Sequence, residues 1–319
     1  MSLRIALCVL LIAACSPGPH ATNAPPDASE IPRSVGGIFR VTSQYELARM
    51  PEGASALLAE LADATDSPDD PGRYLVDRMI AAIADPQTRS LAHALEPLLA
   101  ATIEAELDSI APKLVPALIA LAHGLEKDAR LLSTHELWFV QLGGAVGRAV
   151  TGVTFDGVDI AFVEAGLPDL TANSQVTLGP HGDLAIADHA LAVPYGALLR
   201  LALDRALIPH VVPGATNLAQ ALVALVDCGQ LGARASAAVG FGSPGLYTAA
   251  CRIGLTELAD RWYGHLVAID GKPSTLHSTG TARGLDHDRD GSMDEITTGA
   301  WTGSVDGAQL GPATFQGMK

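Results

Sequence analysis

Aromatic residues make up only 4% of this 319-residue chain although 48% of it is hydrophobic, so its core must be assembled mainly from Ala, Leu and Val. Basic residues are scarce as well: 20 Lys and Arg stand against 35 Asp and Glu, a formal net charge of -15. Such a surface repels nucleic acid and anionic head groups, and no nucleic-acid partner is expected. Beyond the first residues, no uninterrupted apolar run approaches the roughly 18 to 20 residues that a spanning helix needs. The nearest, Leu114 to Leu121, has Pro116 inside it. Cysteine occurs at four positions only, and their spacing makes neither a CxxC redox pair nor, without a His cluster beside them, a zinc site.

Local signatures of catalysis are missing too. Gly240 to Gly245 fits GxGxxG, but it follows an Ala-rich helical stretch rather than a strand. Ser243 fails as a nucleophile elbow because Phe241 stands where glycine is required. His135-Glu136 opens like a zinc protease motif, but Phe139 occupies the second His position. The remaining histidines are scattered singly.

One stretch does have the spacing of a chemical site. Asp286-His287-Asp288-Arg289-Asp290-Gly291-Ser292-Met293-Asp294-Glu295-Ile296-Thr297 places acidic side chains at loop positions one, three, five and nine and glycine at six. It resembles the EF-hand calcium loop, in which oxygens alternating along a tight turn converge on one hard cation. The ligand set that the resemblance implies is Asp286, Asp288, Asp290, Ser292, Asp294 and Glu295, with calcium as the cofactor. Position twelve departs from the pattern, because Thr297 replaces the bidentate glutamate. A further ligand must then come from Glu295, from water or from elsewhere, and the alternative is a solvated acidic turn. The loop falls between strand-like segments, so a calcium-holding hairpin is expected rather than an EF-hand fold.

The other specific signal is at the start. Met1 to Arg4 is a short basic end, Ile5 to Ala14 is apolar, and Leu11-Ile12-Ala13-Ala14-Cys15 resembles the bacterial lipobox. That resemblance implies a signal peptide over 1–14, acylation of Cys15 and, with Ser16 following, an outer-membrane address in the cell envelope. Two or three acyl chains at about 0.8 kcal/mol per buried methylene anchor a chain without any spanning helix. If Cys8 leaves with the signal and Cys15 carries lipid, Cys228 and Cys251 remain as an even pair in an oxidising compartment. A disulfide between them is expected, the alternative being two buried free thiols.

Between these signals lies the body. Residues 15–37 carry Pro17, Pro19, Pro25, Pro26 and Pro32 among small polar residues, the composition of a tether. Gly36 to Thr42 alternates like a short strand. Helical spacing follows at 54–64, at 74–84, from Asp85-Pro86 and over 91–125, where Pro97, Pro112 and Pro116 divide or kink the run. Its apolar stripe reads as core or, alternatively, as a lipid-facing surface. Near Thr134 the period changes. Val153 and Phe155, then Asp156-Gly157, then Val158, Ile160 and Phe162 predict a hairpin with a type I′ turn. Further strands are expected at 176–178, 184–193 and from 276 onward, and helices at 198–207, 218–226 and 246–267.

The fold class expected is therefore α+β: a helical N-terminal half, an antiparallel sheet covered by helices, and C-terminal β-hairpins with an acidic loop. The divisions are 1–14 signal peptide, 15–37 tether, 38–133 helical region and 134–319 α+β region with the calcium hairpin. The whole resembles the uncharacterised envelope lipoproteins of bacteria. That resemblance implies an address and not an activity. The function expected is that of a non-enzymatic, lipid-anchored protein, calcium-stabilised, binding an apolar ligand or an envelope partner. A lipid in a dry groove between the hairpin face and the helical stripe is one such ligand. An envelope hydrolase with an unrecognised site and a purely structural surface protein are the alternatives.

Overall fold

The computed structural model describes residues 31–50, 111–239 and 243–319, with scattered positions between 54 and 109. Nine strands form one sheet: β1 (Gly37–Leu47), β2 (Leu131–Val140), β3 (Ala145–Phe155), β4 (Val158–Ala161), β5 (Leu170–Leu178), β6 (Asp183–Val193), β7 (Ser274–Leu285), β8 (Glu295–Val305) and β9 (Ala308–Met318). All its pairings are antiparallel. β1 pairs with β9 on one side and β2 on the other, and β2 also pairs with β3, so the sheet closes on itself. Eight strands make an up-and-down barrel, and β4 is one extra strand beside the far half of β3. Closure removes edge strands, each a template for mispairing.

This overturns the expected α+β arrangement of a helical N-terminal half and a helix-covered sheet. β1 to β4 all lie before residue 162, and β1, from the expected helical region, stands in the barrel wall between β2 and β9. The physical reason is visible in β1, where Phe39, Val41, Ser43, Tyr45 and Leu47 point inward and Arg40, Thr42, Gln44 and Glu46 outward. In β3 the inward phase runs through Val146, Arg148 and Val150 and then, across a bulge, through Val153 and Phe155. Inward polar residues and the bulge both break the period-2 pattern that marks a half-buried strand.

Helices enter through two long connections at one end of the barrel. α1 (Leu114–Arg130) buries Leu114, Leu118, Leu121 and Leu125 and runs directly into β2. Pro116 does not kink it, because it sits in the first turn, where its missing N–H has no intrahelical partner to lose. The rest of the 91–125 stripe and the helices expected at 54–64 and 74–84 lie largely outside the described residues. α2 (Phe162–Ala165) is a single turn after β4.

Between β6 and β7 come α3, α4 (Leu218–Leu225), α5 (Cys228–Val239) and α6 (Pro244–Ile269). α3 opens as Tyr195–Leu201, widens into a π-helical turn over Ala202–Leu207 and closes as Ile208–Val211. Pro209 can donate no hydrogen bond, and the widened turn just before it carries Ile208 N–H to Leu203 O instead. Caps are legible in sequence: Asn217 accepts from Gln220 N at 2.9 Å and Ser243 from Leu246 N at 3.3 Å, with Pro244 in the first turn of α6. α3 is capped from a distance. Asp270, at the end of α6, accepts Gly196 N and Ala197 N at 2.8 Å each. α5 and α6 are joined by the disulfide Cys228–Cys251, with a Cα–Cα distance of 5.7 Å. Among the described residues no helix is long and apolar enough to cross a membrane.

The barrel interior is filled. Trp301 stacks on Phe315 at 4.2 Å and lies 5.9 Å from Trp138, and all three rings are buried. Gly280 makes room for the stack, since a Cβ there would sit 2.5 Å from the Trp301 ring. At the end opposite the helices, the β7–β8 loop and the incoming segment Pro32–Gly36 close the barrel, with Val35 and Met293 buried between them and the core.

A candidate metal centre at the barrel rim

The acidic loop is the β7–β8 connection, a hairpin as expected. It opens at Leu285↔Glu295, and Asp294 N returns to Leu285 O at 2.8 Å. Gly291 has φ +91, the left-handed region that favours glycine, and Arg289 has φ +65. These two residues reverse the chain tightly enough for side chains to meet backbone amides within the loop. Asp286, buried, accepts Gly291 N at 2.8 Å and Asp290 N at 3.2 Å. Asp288 accepts Asp290 N at 3.1 Å, and Asp294 accepts His287 N at 3.0 Å.

The result is a convergence of three carboxylates. Oxygens of Asp286, Asp288 and Asp294 all lie within 4.8 Å of one another and can hold a metal ion. At that separation each pair of charges repels by about 1 to 3.5 kcal/mol, depending on how much water screens the rim. The other three expected ligands are engaged differently. Asp290 accepts Ser292 N at 2.6 Å, Glu295 pairs with His287 Nε2 at 2.5 Å, and Ser292 bridges by its backbone to Ser34. Cys15 lies outside the described residues.

The loop also fastens the N-terminal segment. Arg33 N and Ser34 N both donate to Gly291 O, at 2.8 and 3.0 Å, and Met293 N donates to Ser34 O at 3.0 Å. Lys319 N donates to Asp294 O at 2.9 Å, so the chain's last described strand is tied to the same loop. None of these contacts had a sequence signal, because they join backbone groups far apart in the chain.

Compared with known proteins, the chain matches no family model, no curated protein and no solved structure. Its chemistry must be read from its own residues.

A second constellation lies deep in the barrel. Arg148 donates to Glu136 Oε2 from Nε at 2.9 Å and from Nη2 at 2.7 Å, and its Nη2 also reaches Tyr45 Oη at 3.1 Å. Its Nη1 meets His189 Nε2, and its guanidinium lies 4.7 Å over the Trp301 ring. Glu136 further accepts Trp138 Nε1 at 2.6 Å and Thr134 Oγ1 at 2.9 Å. Burial opposes the Glu136 charge, but the Arg148 cation and these donors hold its carboxyl below the usual range. Burial pushes the Tyr45 phenol up to about 12. For His189, burial and then the Arg148 charge push the imidazole down, so it is neutral, donating from Nδ1 to Ala187 O and accepting at Nε2. Every strong group here is committed to a neighbour. The network organises the core and has no open face for a substrate.

Two further features lie at the surface. On the outer wall His135 Nε2 lies 2.8 Å from Thr154 Oγ1 and 3.2 Å from Asp159 Oδ1, while Thr154 itself donates to Asp159 at 2.6 Å. Both partners use the same ring nitrogen, so the carboxylate does not orient His135 to take the threonine proton, as a nucleophilic triad requires. At the helical end of the barrel, a cleft of about 880 Å³ is lined by Met50, Ala268, Ile269 and Val305 together with Arg49 and Lys272.

Proposed function

We propose that this chain is a lipid-anchored, non-enzymatic protein of the bacterial outer membrane, and that its barrel is a rigid body braced by calcium. The observation that carries the brace is the convergence of Asp286, Asp288 and Asp294 at the joint where the N-terminal segment meets the barrel. An all-oxygen donor set favours a hard cation over zinc or copper, and a flexible rim loop suits calcium better than magnesium, which demands a tight octahedron. Backbone carbonyls and water supply the remaining ligands. Three protein carboxylates on an open rim suit the weak extracellular range, with a dissociation constant of about 0.1 to 1 mM. When bound, the ion neutralises the repulsion among the carboxylates, and the loop then holds Arg33 and Ser34 in place.

The anchor is supported by Leu11-Ile12-Ala13-Ala14-Cys15 and by the proline-rich stretch that follows. Its test is Cys15→Ser, which moves the protein from the outer-membrane fraction to the soluble envelope fraction. Retention of that variant in the membrane fraction refutes the anchor. Calcium is tested by titration calorimetry of the chelated protein, with one site expected and magnesium giving a much smaller response.

A second reading concerns an apolar ligand. The barrel interior is occupied by its own side chains, so the groove between hairpin and helices that the sequence suggested gives way to the cleft at the helical end. Met50, Ala268, Ile269 and Val305 suit an acyl chain, and Arg49 and Lys272, which share the lining with Asp306, offer cations to an anionic head. Native mass spectrometry of the Cys15→Ser protein, with and without added fatty acid, tests it. A mass that stays apo at saturating fatty acid removes the ligand from the account.

A further inference from the structure

Four of the exposed large apolar side chains among the described residues are gathered at one end of the barrel wall, while Leu131 and Val158 lie elsewhere on it. Ile38 and Phe139 are direct cross-strand partners on the outer face of β1 and β2, and they are 56% and 47% exposed. Leu142, in the β2–β3 turn, is 82% exposed and sits over Gly36. Met318, 61% exposed, is the ladder partner of Arg40 on the adjoining strand β9. A soluble wall normally alternates inward apolar with outward polar residues. Here the outward positions of β1, β2 and β9 break that rule together, near the end that the N-terminal segment enters.

The charge of the patch is also unlike that of the chain. Arg40 lies within it and Lys319 at its margin, the Lys319 side chain being packed beside Gly37. Among the described residues, no carboxylate points outward from the halves of β1, β2 and β3 that carry the patch. The nearest, Glu295, is the ladder partner of Met318 and is paired with His287. In a chain of net charge -15, the patch halves of β1, β2 and β3 carry Arg40 and no outward carboxylate, and the acidic loop begins beyond Met318, at Glu295.

We propose that this face lies against the lipid surface that holds the acyl chains of Cys15, with Ile38, Phe139, Leu142 and Met318 at the acyl boundary and Arg40 and Lys319 at lipid phosphates. The inference rests on the lipid-anchor reading and extends it from a tether to an orientation. The occupant follows from where the chain leads. Ile38 stands immediately after the segment that connects Cys15 to the barrel, and the seventeen or so residues from Cys15 to Pro32 reach about 23 Å if flexible and at most about 60 Å if fully extended. An eleven-residue strand is about 36 Å long, more than the flexible reach, so the entry end of the barrel is the end held nearer the bilayer on average. Confinement by the anchor raises the effective lipid concentration at this face, so a modest patch suffices to dock it.

The test uses the full chain with Leu142→Trp, reconstituted into vesicles of phosphatidylethanolamine and phosphatidylglycerol with plain or brominated acyl chains. Trp138, Trp262 and Trp301 are all buried in the protein and provide a constant background. The added tryptophan should shift to shorter wavelength and lose at least half of its emission to bromine. Ile253→Trp on α6, at a position 62% exposed in the free protein, should lose less than a tenth. Adding Phe139→Glu to Leu142→Trp should remove the quenching while the far-ultraviolet dichroism stays unchanged. Absence of quenching at 142, equal quenching at 253, or burial of the patch by self-association without lipid each overturns the proposal. Intact mass reports the acyl chains separately. If Cys15 carries none, the anchor reading fails by itself, and the same vesicles at saturating lipid still decide the face: an unquenched tryptophan at 142 rejects it.

Discussion

Replacing Glu136 by Gln should be the most damaging single polar change in the barrel. The substitution keeps the shape and leaves the Arg148 guanidinium buried without its counter-ion. The Gln oxygen takes the Oε2 place, where Arg148 Nε, Arg148 Nη2 and Trp138 Nε1 all reach within 2.9 Å, and its amide faces Thr134 Oγ1, which must turn from donor to acceptor. Breaking a buried pair by removing one partner costs about 3 to 5 kcal/mol, because a desolvated charge remains. Against a total stability of about 5 to 15 kcal/mol, that is about a fifth of the fold's stability or more. Glu136→Leu combined with Arg148→Met removes both charges and should cost less than the single change, even though Tyr45 loses a donor. Urea unfolding of the three proteins, at unchanged slope, measures this. A loss below about 1 kcal/mol for Glu136→Gln, or a double variant worse than the single, would show that the network is not what organises the interior.

Asp128 offers a pH-dependent test. Burial, then the neighbouring Asp156 charge, raises its carboxyl to about 6, and its Oδ2 has no hydrogen-bond partner among the described residues. The folded protein therefore binds this proton more tightly than the unfolded chain, so the site favours folding when protonated and opposes it when ionised, the change running from about pH 4 to pH 6. Asp128→Asn should gain about 1 to 2 kcal/mol over the parent at pH 8 and nothing at pH 4, read by denaturant unfolding at both; an equal difference at the two values would reject it. Cys228→Ser with Cys251→Ser opens a loop of sequence separation 23 and should lower stability by about 3 kcal/mol, checked against the reduced parent, which should match it. Leu125→Ala, at a fully buried position of α1, should cost about 2 to 5 kcal/mol by calorimetric melting.

The chain's local structure was far more legible than its closure. The Asp156-Gly157 hairpin, the strands around the 179–182 turn, the helices begun by Asn217 and Ser243-Pro244, and the hairpin setting of the acidic loop each have a signal within a few residues. Barrel closure has none, because it depends on β1 meeting β9 across most of the chain. The inward positions hid it further. Glu136, Arg148 and His189 look like solvent-facing residues in a strand, and the bulge between Ile186 and His189 shifts the phase that would have exposed the pattern. For the site, spacing alone brought Asp286, Asp288 and Asp294 to notice. It could not reveal that the loop's backbone clasps Arg33 and Ser34, a contact between residues more than 250 positions apart.

The central claim, that calcium at the rim loop braces the fold, is tested most directly by melting the protein in 1 mM calcium and in chelator, alongside Asp288→Asn combined with Asp294→Asn. With a dissociation constant of about 0.1 mM, linkage gives about 1.4 kcal/mol, or an increase in melting temperature of about 3 to 5 °C. The doubly substituted protein keeps side-chain acceptors for its own amides but has only one of the three converging charges, Asp286. It should melt at one temperature in both solutions. A parent that melts identically in calcium and chelator, or a double variant that retains the full increase, would contradict the account.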